Sequence, residues 1–360
     1  MGIVLFCSLA VAISNGAAAD PQTSEPARMT IRTSPNSQHE VHFALSERWR
    51  DLPGSSPSLP AAIDPVTDRY LTVGGRTYWI DESYQLYDPA SSKLIRPDYE
   101  ARRELAAAIR DASSRYYGTL ATWEEGKQVI AMKGIFTVVD LETGLQFRAQ
   151  RRAGSTHADV QPMTRQDTAV MKRIYGGRWT WKRRAILVRK DEHVLAASMH
   201  GMPHGGDGIP GNGFSGHFCI HFLGSRTHGS GQVDPDHQVM IHKAAGRLRR
   251  YVSNASPGAL ADLYLTAINQ QDSEIAAALF RGRSAAKPHI ERDFAAISAI
   301  RRVSPDPVLG DDANDGLVLS IPIRVNIFGS SGTKHDRKMV FHYTREGIGE
   351  PWKIDGIQLN

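Results

Sequence analysis

Apolar residues recur along this chain with two different periods, and the switches between them mark the expected elements. From Asp20 to about Pro65, Pro, Ser and Thr dominate and few apolar residues fall in register, which predicts a linker over 20–65. The pattern tightens at Tyr70. Leu71 to Ile80 reads as a short hairpin turning at Gly74-Gly75, Tyr84 to Tyr87 predicts another strand, and Pro97 opens a helix with Asp98 and Glu100 in its first turn. Leu105, Ile109, Ala112 and Tyr116 share one face of that helix, so 66–117 is expected to form a small accessory module.

From Thr119 onward, strand-length apolar runs follow at Val129 to Met132 and Ile135 to Val139, and an alternating run at Leu145 to Gln150 after a turn at Glu142-Thr-Gly144. Thr164 with Asp167 is a capping signature for a helix carrying Val170, Met171, Ile174 and Tyr175, ended by Gly176. Arg184 to Arg189 and His193 to Met199 predict a strand pair that delivers His200 to its end, Phe218 to Leu223 a further strand, and Pro235 a helix with Met240, Ala244 and Leu248 on one face. These elements set out a second unit over 118–254, bounded by the turn-rich Ser253 to Gly258. Beyond it come helical stripes at Leu260 to Ile268 and Ile275 to Phe280. Leu317 to Ile327 then alternates as a long strand, a turn at Gly329 to Gly332 leads to a strand at Met339 to Tyr343, and Trp352-Lys-Ile-Asp-Gly356 closes the chain. Residues 257–360 thus resemble the nuclear-transport-factor-two-like cone fold, and the whole reads as mainly β with α, an α+β protein.

Composition adds an address. The 360 residues are 41% hydrophobic and 22% charged, as in folded soluble proteins with more than one core. Met1 to Ala19 is apolar from Ile3 to Ile13 and ends in three alanines, which predicts a signal for export to the cell surface, although no Lys or Arg precedes the apolar run. A net charge of +5 favours anionic surroundings such as a cell-wall polymer, and no nucleic-acid motif accompanies the basic residues. Removal of the signal would take Cys7 with it and leave Cys219 alone, unable to form an intrachain disulfide.

The densest chemistry lies around that cysteine. Ala196 to Gly229 holds five of the fourteen histidines and nine of the 32 glycines. Histidine packs poorly and glycine costs backbone entropy, so the joint enrichment points to a site rather than a core. A cysteine nucleophile needs a base within hydrogen-bond reach. His217 and His221 stand two residues either side of Cys219, on one face of a strand, and His200 and His204 arrive from the preceding strand and loop. The same histidines form two His-x-x-x-His pairs, and His157 with Asp159 adds two more ligand types, so a zinc peptidase is a competing reading. No His-Glu-x-x-His occurs, and Pro203 and the glycines deny the helix such a pair needs. Taken singly, His157 and His228 read as structural.

His200-Gly201 and His204-Gly205, nineteen and fifteen residues before the cysteine, followed by Gly216-His217-Phe218-Cys219-Ile220-His221, resemble the L,D-transpeptidase catalytic domain. Members of that family cross-link peptidoglycan stem peptides. The resemblance spans Thr119 to Val252 and implies Cys219 as nucleophile, His217 lining the site and His200 or His204 as base. Gly216, Phe218 and His221 stand where the family has serine, glycine and an arginine or asparagine, and with Arg226 and Trp181 they are the expected substrate-binding residues. Arg178, Lys182, Arg183 and Arg184, interleaved with Trp179, are candidates for meeting substrate carboxylates. The implied reaction forms a Cys219 thioester with a stem peptide and passes it to an amine or to water, with no metal and no organic cofactor. A non-catalytic wall-binding protein that keeps the scaffold is the remaining reading.

Overall fold

Alternating buried and exposed positions build three largely antiparallel sheets, and helices pack between them, so the fold is α+β and rich in strand. The computed structural model describes residues 26–206, 208–303, 316–329 and 332–360. The expected signal segment lies outside these residues, as does part of the expected turn at Gly329 to Gly332.

The first sheet corrects the expected linker. Its seven strands run in the order Val41–Ala44, Arg28–Ile31, Arg69–Val73, Arg76–Ile80, Leu86–Asp88, Lys93–Ile95, Ser58–Pro60, so the stretch before Pro65 supplies three of them. Several of the few apolar residues there are used: Met29, Ile31 and Trp49 are fully buried, whereas Leu59 and Ile63 are exposed. A polar composition hid a sheet because only Arg28–Ile31 is largely buried, while Val41–Ala44 alternates between half-buried and exposed and Ser58–Pro60 is exposed. The expected hairpin at Gly74-Gly75 is present. Helix Tyr99–Tyr116 is capped by Asp98, which accepts from the Ala101 N–H at 2.8 Å, and buries the expected Leu105, Ile109, Ala112 and Tyr116. One hydrophobic cluster runs from Met29 and Leu105 through Val239 and Met240 to Leu260 and Tyr264, so the first sheet shares its core with the C-terminal helices.

The central unit is a closed barrel. Six strands pair in the order Arg183–Lys190, Ile135–Asp140, Gln146–Ala153, Ala158–Pro162, Phe218–His221, His193–His200 and back to Arg183–Lys190. Phe136, Val138, Phe147, Val160, Ile186, Ala197, Met199, Phe218 and Ile220 form its separate hydrophobic cluster. Val129 to Met132 is not a strand. Thr122 and Glu125 make a capping box that starts helix Trp123–Val129, and this local signal overrides the short apolar run behind it. The Thr164–Asp167 box is present and starts helix Arg165–Ile174. Helix Pro235–Ala244 stops before Leu248, which belongs to a separate helix, Leu248–Ser253.

The C-terminal part places helices Pro257–Gln270, Ser273–Leu279 and Arg283–Ala296 against a four-stranded sheet ordered Ala299–Arg302, Val318–Phe328, Lys334–Thr344, Lys353–Leu359. Alternation holds along Val318–Phe328, where Ile321, Ile323, Val325 and Ile327 are buried. Helix Arg283–Ala296 has no counterpart in the hydrophobic pattern, since it contains Pro288 and fully buries only Ala286 and Asp293. Among the described residues no helix is long and apolar enough to cross a membrane.

For the site, what matters is the barrel's outer face. Three neighbouring strands turn their apolar side chains into the barrel, and the intervening positions Asp159, Gln161, Ser198, His200, Cys219 and His221 therefore point the other way. Register aligns Asp159 with Cys219 and Ser198 with His221. Helix Pro235–Ala244 covers part of this face, and His237 Nδ1 lies 2.8 Å from the Ser198 hydroxyl.

Candidate active site

Cys219 is 3% exposed, and a ring nitrogen reaches it: His204 Nε2 lies 3.4 Å from Sγ. His204 Nδ1–H donates to the Met202 carbonyl at 3.1 Å, which fixes the tautomer and leaves the Nε2 lone pair facing the thiol. An antiparallel bridge to His217 delivers the ring, with His204 N–H on the His217 carbonyl at 3.0 Å and His217 N–H on the His204 carbonyl at 2.8 Å. Two glycines make that bridge possible. Gly216 sits at φ +86°, where a Cβ would strike the His204 carbonyl, and Gly205 at φ +68°, where a Cβ would strike the His217 ring.

The glycine-rich loop is pinned to the neighbouring strand. Gln161 donates to the Gly216 carbonyl and accepts from the Ile209 N–H at 2.6 Å and from Asn212 Nδ2 at 2.9 Å. Asn212 also donates to the Pro162 carbonyl, and its own carbonyl accepts from the Thr168 hydroxyl at 2.8 Å. Neither Gln161 nor Asn212 stands out in the sequence. Their role arises from strand pairing across the barrel.

Asp159 is buried beside the sulfur, its Oδ1 at 3.8 Å from Sγ. The same oxygen is 2.9 Å from His228 Nε2, 3.2 Å from His157 Nε2 and 3.6 Å from His217 Nε2. Burial opposes its charge, but the His157 and His228 imidazoles and the His217 ring outweigh burial and hold the carboxyl well below the usual carboxylate range. The thiol responds in the opposite sense: burial first, and then the Asp159 charge, push Cys219 far above the ordinary cysteine value. The resting sulfur is therefore a thiol, and an attack needs a base rather than a preformed thiolate.

Of the two candidate bases, the structure brings His204 against the sulfur. His200 is buried and has a ring nitrogen within 4.8 Å of Sγ, and burial followed by the charge of Arg183 keeps its ring neutral. His217 lies beside His204, ring centroids 4.4 Å apart, and burial pushes its pKa down. Trp181, half exposed, covers both His200 and His204 at centroid distances of 4.8 and 5.3 Å. With His228 it forms the exposed edge of the site.

Of the expected substrate contacts, Phe218 and His221 are buried and Arg226 is exposed. Phe218 is fully buried inside the barrel, because the alternation that turns Cys219 outward turns its neighbour inward. His221 is stacked between His157 and His237 at 4.6 and 3.8 Å, is 2% exposed, and is kept neutral chiefly by burial. Arg226 offers its carbonyl to His157 Nδ1 at 2.6 Å, while its side chain reaches the Gly231 carbonyl at 3.4 Å and is held within its own loop. Arg183 and Arg184 are likewise engaged, with Asp234 and Asp140 at 2.6 Å each. Gly216 shapes the loop through its backbone. His157 and Asp159, remote in sequence from His228, converge with it on Cys219.

No protein-family model, curated protein or solved structure matches this chain.

Proposed function

We propose that this chain is an exported cysteine acyltransferase acting on peptidoglycan stem peptides, in the manner of the L,D-transpeptidases. The observation that carries the reading is the oriented His204 ring, whose Nε2 lone pair faces the Cys219 thiol at 3.4 Å. Thiol and imidazole at that separation can exchange a proton as the sulfur attacks a carbonyl.

The steps follow from a protonated resting thiol. Sγ attacks the carbonyl ahead of the terminal D-alanine of a tetrapeptide stem, and the thiol proton moves to His204 Nε2. The tetrahedral intermediate collapses, the C–N bond breaks, and D-alanine leaves with the proton from His204. An amine of a second stem, or water, then attacks the thioester and gives its proton to His204, which returns it to sulfur. Trp181 at the exposed edge offers a surface for the peptide, and the net charge of +5 suits an anionic wall.

The test is incubation of the full chain with disaccharide tetrapeptide, followed by mass spectrometry of products and protein. Cross-linked dimer or tripeptide, with an acyl adduct on Cys219 that Cys219→Ser abolishes, is the expected result. Silence with this substrate, together with failure of a carbapenem to acylate the thiol, defeats the reading in favour of a non-catalytic wall-binding protein.

A further inference from the structure

Beyond acyl transfer, the donors packed around Cys219 carry a second chemistry. His157, Asp159, Cys219 and His228 each offer one ligand atom, and these atoms all lie within 4.8 Å of one another. The separations centred on Asp159 are 2.9, 3.2 and 3.8 Å. Bond lengths of roughly 2.0–2.3 Å from zinc to N, O and S give a tetrahedron with edges of about 3.3–3.8 Å, close to what these atoms already span.

His157 supplies the second observation. It is 1% exposed, and its Nδ1–H donates to the Arg226 carbonyl at 2.6 Å. Its Nε2 is buried, meets no well-formed hydrogen bond, and lies 3.2 Å from a carboxylate oxygen of Asp159. A buried ring nitrogen and a carboxylate oxygen this close offer two ligand atoms to one cation. A histidine whose second nitrogen donates to a backbone carbonyl is also the usual arrangement around a bound metal.

We propose that His157, Asp159, Cys219 and His228 form a binding site for a borderline divalent cation of the zinc class, and that the bound ion masks the nucleophile. Thiolate and imidazole select against calcium and magnesium, and four protein donors close a tetrahedral site, leaving no position for substrate. Binding forms the metal–sulfur bond and releases the thiol proton to solvent. The metal-bound and acyl-transferring forms are then mutually exclusive states of one sulfur. The neighbouring set of His200, His204 and Cys219 supplies only three donors.

The test uses the metal-stripped full chain titrated with Co2+ and with Zn2+ in competition with a chromophoric chelator. Expected are one ion per chain and a near-ultraviolet thiolate-to-Co2+ band that Cys219→Ser removes. His228 is an exposed loop residue, so His228→Ala should fold as the parent does by circular dichroism while weakening Zn2+ at least about tenfold. His204→Ala should bind Zn2+ within about twofold of the parent. Absence of saturable binding overturns the proposal, and so does an affinity lost on His200→Ala or His204→Ala but untouched by His157→Ala and His228→Ala. Metal binding as expected, with a metal-free protein that neither turns over substrate nor takes up a carbapenem, leaves this site standing and removes the acyl-transfer reading. Turnover without metal binding does the reverse.

Discussion

Asp159 and Cys219 are cross-strand partners on the outer face of the barrel, with carboxylate and sulfur 3.8 Å apart. A buried negative charge so placed opposes ionisation of the thiol, after burial itself. Asp159→Asn keeps the shape and removes the charge, so the thiol should titrate at lower pH in the variant. The rate of alkylation by iodoacetamide, followed against pH, should have its rise shifted downward. An unchanged or raised profile would show that the carboxylate does not act on the sulfur.

His204 and His200 both approach the thiol, but only His204 makes a contact with it. If His204 Nε2 is the base, His204→Ala should lower the rate of carbapenem acylation by about 10²–10⁴, the usual worth of positioned general-base catalysis. His200→Ala should cost far less, because that ring stands behind His204 against Trp181. Equal losses in the two variants would contradict the assignment.

Gly216→Ala tests the bridge that delivers the base. A methyl group at φ +86° meets the His204 carbonyl, so the loop must shift before the ring can face the sulfur. Displacement of a catalytic group by about 1 Å costs roughly a hundredfold in rate. Acylation should therefore fall by about that factor, and a crystal structure of the variant should show His204 Nε2 drawn away from Sγ.

Where a structural decision was local, the sequence carried it. Asp98, Thr164 with Asp167 and the alternation from Ile321 to Ile327 each depend on neighbours within a few positions, and the structure has them. The histidine-rich loop was visible by composition alone. Barrel closure was not, because it rests on pairings such as Asp159 with Cys219 between strands far apart in sequence, and with it went the roles of Asp159, Gln161 and His228. Phe218 is a different case. The period that sets Cys219 outward already sets Phe218 inward, but a resemblance transfers a position along the chain and not the direction of a side chain.

Phe218 is also the place where packing and chemistry can be separated. Its ring packs against Phe147 and Phe214 at centroid distances of 6.0 and 5.9 Å within the barrel cluster. Phe218→Ala leaves a cavity in a closed core and should cost about 3–5 kcal/mol of stability, measured by urea denaturation. A ring that served the substrate would give a different outcome, with KM rising and stability nearly unchanged.

The thiol finally predicts a pH dependence of stability. Burial and Asp159 raise the folded-state pKa of Cys219 above its unfolded value of about 8.5, so the fold prefers the protonated sulfur. Below the unfolded pKa both states carry the proton and the full stabilisation is present. As pH rises past about 8.5 the unfolded chain releases its proton while the folded chain keeps it, and stability declines toward the folded pKa. Cys219→Ala lacks this group, so the difference in unfolding free energy between parent and variant should shrink from pH 8 to pH 10 in favour of the variant. A difference that stays constant over that range would mean that the buried sulfur titrates as it does in the unfolded chain, and the requirement for a base at His204 would go with it.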